Sequence, residues 1–264
     1  MSNILSRCIL CNNLIGTSEH YEDWSGKCSC VKHIDNKDVY YCNSCGKLTP
    51  KAYGKIYSSS YFYCNDCIKN GVKTSDLGRI VPSVINLLHH VGFEDISIDN
   101  FSCRIESYDY FIRNEMENSV GYHTTLSCIR DEHGVRDLVE EITIRENLIE
   151  LEFRAIIAHE ILHSWQARNN LNEFYEYSSK LHNKKAMEGF AQMGTYLVYT
   201  DVLRNKPNSR MVKWKMKQLL ENEDEIYGKP FLQILNQFNN YNGSYRQKWY
   251  YIIRCAREGK LNIA

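Results

Sequence analysis

The sequence has no excess of charge, no long apolar run and no apolar leader. Its 264 residues include 32 basic and 32 acidic side chains, so the formal net charge is zero. This balance gives no electrostatic reason to expect nucleic acid or an acidic membrane as a main partner. No apolar run approaches the roughly 18–20 residues that span a bilayer, and residues 1–10 lack the apolar core of a signal peptide. We therefore expect a cytoplasmic protein without a membrane segment.

The composition indicates a folded core and metal binding. With 43% apolar residues, the chain is long enough for one catalytic domain and one small module. It contains 11 cysteines. In a reducing compartment so many thiols indicate metal binding rather than disulfides.

Eight metal-type ligands form two equal units before residue 70. Each member of the second unit lies 34 residues after its counterpart in the first. Each C-x2-C pair suits a knuckle that turns two thiolates onto one tetrahedral zinc. The units are Cys8, Cys11, Cys30 and His33, then Cys42, Cys45, Cys64 and Cys67.

The repeat predicts two consecutive structural zinc sites. A cross-braced arrangement would mix the two units, and it normally has a shorter separation between its central pairs than the eight residues between His33 and Cys42. Cys28 is an alternative to Cys30 as a ligand of the first site. We prefer Cys30 because it keeps the register of the repeat.

The segment His159-Glu160-Ile161-Leu162-His163 lies in an apolar stretch with helical spacing. Histidines four residues apart on a helix are separated by about 40° around its axis, so both imidazoles can reach one ion. The glutamate between them can hold a water molecule without ligating the metal. Because burial of unpaired polar groups is unfavourable, this pattern indicates a zinc hydrolase with Glu160 as general base.

A second apolar helix is predicted over 186–199, and Glu188 is its one acid. Glu188 follows His163 by 25 residues, which suits the third zinc ligand of glutamate-type zincins. Gln192, one turn later, can orient a ligand. The metzincin pattern is excluded because its Gly and its third His are missing after His163. The rival ligands in the polar connection, which we expect to be solvated, are Glu173, Glu176 and His182.

The remaining pattern predicts a mixed architecture. Helical spacing covers 76–92, with Gly92 as the stop signal, and the active-site helix is expected at about 148–168. Alternating apolar residues predict strands around 96–98 and 142–144, with a further candidate at 121–126. The C-terminal part, about 201–264, is expected to be helical, with spacing over 229–239 and 245–257. We divide the chain into a zinc module, 1–70, and a catalytic domain, 71–264.

These motifs resemble, in order, those of the LIM-domain zinc peptidases typified by the plant organ-size regulator called DA-one. The cysteine units are similar to the second half of that family's LIM region and to the knuckle pair that follows it. Residues 157–165 match the active-site helix as far as Trp165, and Glu188-Gly189-x-x-Gln192 matches a family motif. Tyr227-Gly228, with Phe231, resembles a Tyr-Gly element. The connection between His163 and Glu188 is longer than in the family, and the ubiquitin-interacting helices and most of a full LIM region are absent.

The resemblance implies an α+β protein with a zincin-like metallopeptidase domain, in which a small mixed sheet accompanies the active-site helices and a helical C-terminal part. A LIM-like or zinc-ribbon module precedes it. The expected cofactors are one catalytic zinc, held by His159, His163 and Glu188, and two structural zincs. A ubiquitin-like regulator is implied by the resemblance alone.

The expected reaction is cleavage of a protein or peptide by zinc-activated water, with Glu160 as base. No histidine follows His182, so Tyr227 is the leading candidate for stabilising the oxyanion. We expect the substrate to add as a strand to a sheet edge near 140–145. Two alternatives stay open: a catalytically inactive zincin-fold adaptor that binds proteins through its LIM-like module, and a nucleic-acid-binding zinc ribbon, which the zero net charge disfavours.

Overall fold

The computed structural model describes residues 6–15, 19–131, 134–169 and 181–263. In the N-terminal part, two-stranded antiparallel hairpins pair β1 with β2, β3 with β4, β5 with β6 and β7 with β8. Their strands are β1 (Ser6–Arg7), β2 (Leu14–Ile15), β3 (His20–Glu22), β4 (Cys28–Cys30), β5 (Val39–Tyr41), β6 (Leu48–Pro50), β7 (Gly54–Ser58) and β8 (Tyr61–Cys64). Short helices follow β4 and β8 and are α1 (Val31–Asp35) and α2 (Asn65–Asn70).

The larger part is a three-stranded mixed sheet with helices packed around it. Its elements are α3 (Leu77–Val91), β9 (Phe101–Glu106), α4 (Tyr108–Arg113), β10 (Gly121–Asp131), β11 (Gly134–Arg145), α5 (Glu150–Asn169), α6 (Leu181–Asn205), α7 (Arg210–Leu220), α8 (Gly228–Asn240) and α9 (Tyr245–Arg257). The chain is therefore α+β, as the sequence predicted, with small sheets and cysteine-rich clusters able to bind metal.

The order of strands in the mixed sheet is β10-β11-β9. The central strand β11 pairs antiparallel with β10, starting from Gly121 opposite Ile144, and parallel with β9. Ile142 and Ile144 are fully buried, and both β10 and β11 contact α5. This arrangement leaves β10 at an edge of the sheet, beside α5.

Helices α5 and α6 form the centre of the core. Helix α5 is buried along most of its length, and α6 is buried mainly within 189–199. They approach closely at Gly194, where an added Cβ would lie 2.7 Å from the carbonyl oxygen of Ala158. The missing side chain thus allows α6 to lie directly against the turn that carries His159.

Most of the predicted elements are confirmed. The 76–92 helix is observed as α3, and Gly92 ends it with a left-handed φ of 116°. The predicted active-site helix and the C-terminal helices are present, whereas α6 extends beyond the predicted 186–199 at both ends.

The predicted strand at 96–98 is wrong. Instead of pairing as a strand, the chain turns into a short 3-10 helix at Ile98–Asn100. Ser97 and Asn100 close this turn with a capping box. The nearby strand is β9, which begins just after that turn.

The two cysteine units differ in how they join the core. Buried residues of the second unit, including Phe62 and Tyr63, belong to the same apolar cluster as α3, α5 and α6. Cys8, Ile15 and Cys28 form a small separate cluster. The boundary near residue 70 stays a prediction, but the second unit is packed against the large domain. Over the described ranges, no helix is both long and apolar enough to cross a membrane.

Candidate active site and metal sites

The second cysteine unit forms a compact, buried thiol cluster. The Sγ atoms of Cys42 and Cys67 lie 3.8 Å apart, as do those of Cys45 and Cys64. Thiolates bound at about 2.3 Å to a tetrahedral zinc would lie about 3.8 Å from one another. The four thiols therefore have the spacing of a structural zinc site.

Local hydrogen bonds build the knuckle of this unit. The amide of Gly46 donates to the Cys42 carbonyl at 2.8 Å, and Gly46 has a φ of 71°, which favours glycine. The Cys64 amide donates to the Cys42 sulfur at 3.4 Å. The turn after β5 and the end of β8 thereby bring two pairs of thiols together.

The first unit brings together Cys8, Cys11, Cys30 and His33, whose ligand atoms all lie within 4.8 Å of one another. Cys30 lies 3.6 Å from Cys8 and 4.0 Å from Cys11, sulfur to sulfur. Asp38 holds Nδ1 of His33 at 3.3 Å, which leaves Nε2 for a metal. Of the two alternatives left open by the sequence, Cys30 lies in this group and Cys28 does not.

His159, His163 and Glu188 form a triangle of donor atoms at the contact of α5 and α6. The two Nε2 atoms lie 3.0 Å apart, and each is 3.2 Å from Oε2 of Glu188. Ligands at about 2.0–2.1 Å from a tetrahedral zinc would be separated by about 3.3 Å. The residues fit a zinc with two imidazole ligands and one carboxylate ligand.

Mutual electrostatics stabilise the charged forms of this triangle. Burial opposes the charged imidazole, but Glu188 outweighs it and raises the pKa of His163 to about 9. Burial also opposes the Glu188 carboxylate, yet His163 and His159 hold its pKa well below the usual range. A bound divalent cation would displace the proton from His163 and supply the positive charge in its place.

The ring of His163 is oriented by Gln166, which the sequence analysis missed. Nδ1 of His163 lies 3.0 Å from Oε1 of Gln166, and Nε2 of Gln166 donates to the Met187 carbonyl. The i, i+3 spacing on α5 was the available signal. Gln192, predicted for the orienting role, lines the cavity beside the triangle. Among the rivals, Glu173 and Glu176 fall outside the described residues, and His182 has no described side chain.

The triangle opens on a cavity of about 620 Å³. Glu160 lines this cavity and is only 6% exposed. It lies against Gly121 of β10, where an added Cβ would be 3.0 Å from Oε1 of Glu160. A side chain at this position would therefore press on the carboxylate, so glycine keeps the edge strand close to it.

Tyr227 also lines the cavity, at the start of α8. Burial, with the charges of Glu188 and Glu160 nearby, raises the pKa of Tyr227 to about 12. Its hydroxyl thus stays protonated and able to donate. The amide of Tyr227 is held by the Asp224 carboxylate at 2.9 Å.

A buried polar network joins strands β10 and β11 to helix α5. Glu140 of β11 is 1% exposed and accepts from Ser164 at 2.7 Å and from Arg168 at 2.6 Å, both on α5. It also binds His123, a residue of β10 that lines the cavity. No sequence pattern marked Glu140, because strand residues and helix residues distant in sequence meet only in the folded chain.

A second polar pair lies in the cavity wall. Nζ of Lys215, on α7, is 2.8 Å from Oε2 of Glu152 on α5, and the Tyr199 hydroxyl donates to the same oxygen at 3.3 Å. Lys215 is only 8% exposed.

The substrate edge predicted near 140–145 is wrong. Residues 140–144 of β11 pair on both sides, with β10 and with β9, so no edge is available there. The strand that borders the cavity is β10, beginning at Gly121. The apolar alternation of 142–144 came from burial in the centre of the sheet, and alternation alone does not distinguish a central strand from an edge strand.

Comparison of the chain with protein-family models, with curated proteins and with solved structures gave no match.

Proposed function

We propose that the protein is a zinc-dependent endopeptidase with a zincin-like catalytic domain. The observation that carries the proposal is the triangle of His159, His163 and Glu188 with 3.0–3.2 Å between donor atoms. Glu160 stands on the same helix, and all four residues line one cavity. The buried His159, His163 and Glu160, with the half-buried Glu188, have a physical reason to be there if they serve a metal and its water.

A zinc ion bound here would polarise the substrate carbonyl and lower the pKa of a water molecule. Glu160 is placed to take the proton from that water and to pass it to the leaving amine. Tyr227, whose pKa of about 12 keeps its hydroxyl protonated at neutral pH, would hydrogen-bond the developing oxyanion.

The edge strand β10 would bind the substrate main chain. The Arg145 amide donates to the Val120 carbonyl at 2.8 Å, which makes the pair Gly121 and Ile144 a non-hydrogen-bonded pair. The amide and carbonyl of Gly121 therefore point away from β11. An extended substrate segment can pair there, and such pairing recognises main chain rather than a terminus, which supports endopeptidase activity.

The motifs that resemble those of the LIM-domain peptidases support the same activity. By that resemblance alone, a ubiquitin-like protein would regulate it. The many thiol ligands would suit a reducing, cytoplasmic location. The catalytically inactive adaptor is disfavoured by Glu160, which retains the side chain that water activation needs.

The test compares wild type with Glu160→Gln. The matched control is Glu223→Gln, an exposed acid adjacent in sequence to Asn222, which lines the cavity. Zinc content is measured by elemental analysis, and new termini in a proteome-derived peptide mixture by mass spectrometry. We expect three zincs in each protein and cleavage by wild type and control only. Equal cleavage by Glu160→Gln, or three zincs with no cleavage by wild type, would contradict the proposal.

A further inference from the structure

Four successive carbonyl groups just before the edge strand are held by only two residues. Arg145 Nη2 donates to the carbonyls of residues 117 and 119, the former at 2.9 Å. The Arg145 amide donates to residue 120 at 2.8 Å. The Tyr61 hydroxyl donates to residue 118 at 2.7 Å. Residues 118–120 line the cavity immediately before Gly121.

Arg145 is itself fixed in place. It is fully buried, and its guanidinium lies over the rings of Tyr61, Tyr108 and Phe111, at 4.2, 4.7 and 4.8 Å from their centroids. Ring faces and carbonyl oxygens together compensate its charge. An arginine held in this way has little freedom, so the carbonyls that it binds have little freedom either.

Tyr61 connects this segment to the second cysteine unit. It is the first residue of β8, and Cys64 is the last. A metal at this unit would hold the end of β8 through Cys64 and the following helix through Cys67. The strand that carries the Tyr61 hydroxyl would thus be fixed by the metal.

The same unit also contacts α7, a helix that contributes residues to the cavity lining. Tyr41, adjacent to Cys42, stacks on Trp214 of α7 at 6.2 Å between centroids. Gly46 of the knuckle lies against the same ring, where an added Cβ would be 2.3 Å from Cζ3. The next residue of α7, Lys215, lines the cavity.

We infer that the cysteine unit Cys42–Cys67 positions both walls of the substrate cavity, with Tyr61 and Arg145 as positioning residues for the main-chain-binding edge at Gly121. This inference rests on the proposed peptidase function for its meaning. Substrate affinity would depend on this unit although none of its thiols lines the cavity. The unit is then part of the substrate-binding apparatus, because a strand edge binds well only when its groups are held within about 0.5 Å.

The test is Tyr61→Phe, which keeps the ring over Arg145 and removes only the hydroxyl. The matched control is Tyr53→Phe in the same unit, where the tyrosine is 65% exposed. Hydrogen–deuterium exchange is measured on peptides covering residues 116–123, and KM and kcat on fluorescein-labelled casein. Zinc content and circular dichroism check that the unit remains folded.

Loss of one hydrogen bond should raise both the exchange rate of these amides and the KM by about fivefold, while kcat stays within about twofold of the wild-type value. Exchange equal to that of Tyr53→Phe would overturn the inference. Faster exchange with an unchanged KM would also overturn it, because the segment would then not serve the substrate. Exchange requires no substrate, so this arm decides on the positioning even if wild type cleaves nothing and the peptidase proposal fails.

Discussion

The close contact between α5 and α6 at Gly194 predicts that Gly194→Ala loses the zinc proposed for His159, His163 and Glu188. The new Cβ would lie 2.7 and 2.8 Å from the carbonyl oxygen and carbon of Ala158, and 3.1 Å from the amide nitrogen of His159. Ordinary contact begins at about 3.4 Å, so α6 must move by about 0.7 Å. Both neighbours are backbone atoms of α5, which cannot rotate away.

The displacement is large compared with the tolerance of a metal site. Glu188 stands on α6 six residues before Gly194, and metal–ligand distances tolerate about 0.2 Å. The zinc ligands on α5 and α6 would therefore separate. Overpacking of this kind also costs about 1–3 kcal/mol of stability, which for a chain of this size lowers Tm by several degrees.

The assay is zinc content per chain, with Tm from circular dichroism. We expect three zincs in wild type and two in Gly194→Ala, since both cysteine units lie away from this contact. The control is Gly78→Ala on α3, where an added Cβ meets nothing within 4 Å; it should keep three zincs and gain up to about 1 kcal/mol of stability. Three zincs and an unchanged Tm in Gly194→Ala would refute the reasoning.

Three further predictions follow from buried charges and thiols. Glu188 raises the pKa of His163 to about 9 in the metal-free protein, so the imidazolium persists below that pH and zinc binding at pH 7 should release about one proton from this site. A pH indicator present during a zinc titration measures this proton release. A zinc affinity that does not change with pH between 7 and 9 would contradict the prediction. Burial, and secondarily Glu141, raises the pKa of Cys103 to about 12, so this thiol should resist iodoacetamide at pH 8, as peptide mapping can check. Glu152→Gln should destabilise the fold by about 3 kcal/mol because it leaves the Lys215 ammonium buried without its carboxylate, and adding Lys215→Met should recover most of that loss in urea unfolding.

Local periodicity explains which parts of the site could be predicted. His159 and His163 had to share a helix face because four residues make about one turn. The 34-residue repeat likewise predicted which thiols group together, and the structure brings those two sets of four within bonding distance of one ion each. The helix ending at Gly92 followed from the same kind of local signal.

Pairing between distant segments explains what could not be predicted. The sequence favoured 140–145 as the substrate edge because its alternation marks a buried strand, yet only the sheet order shows β11 at the centre and β10 at the edge. A turn closed by Ser97 and Asn100 replaced a predicted strand. Glu140 could not be assigned a role because its partners come from β10 and from α5.

The sequence by itself determined the ligand types, their grouping and the helices that carry them, because these depend on spacings of a few residues along one element. The tertiary structure brought the predicted ligand Glu188 to the two histidines, and it alone decided that Gly121 borders Glu160 and that the second cysteine unit contacts residues next to the cavity. These arrangements depend on how closely separate elements approach, which is set by packing at positions such as Gly194. No local pattern in the chain encodes that distance.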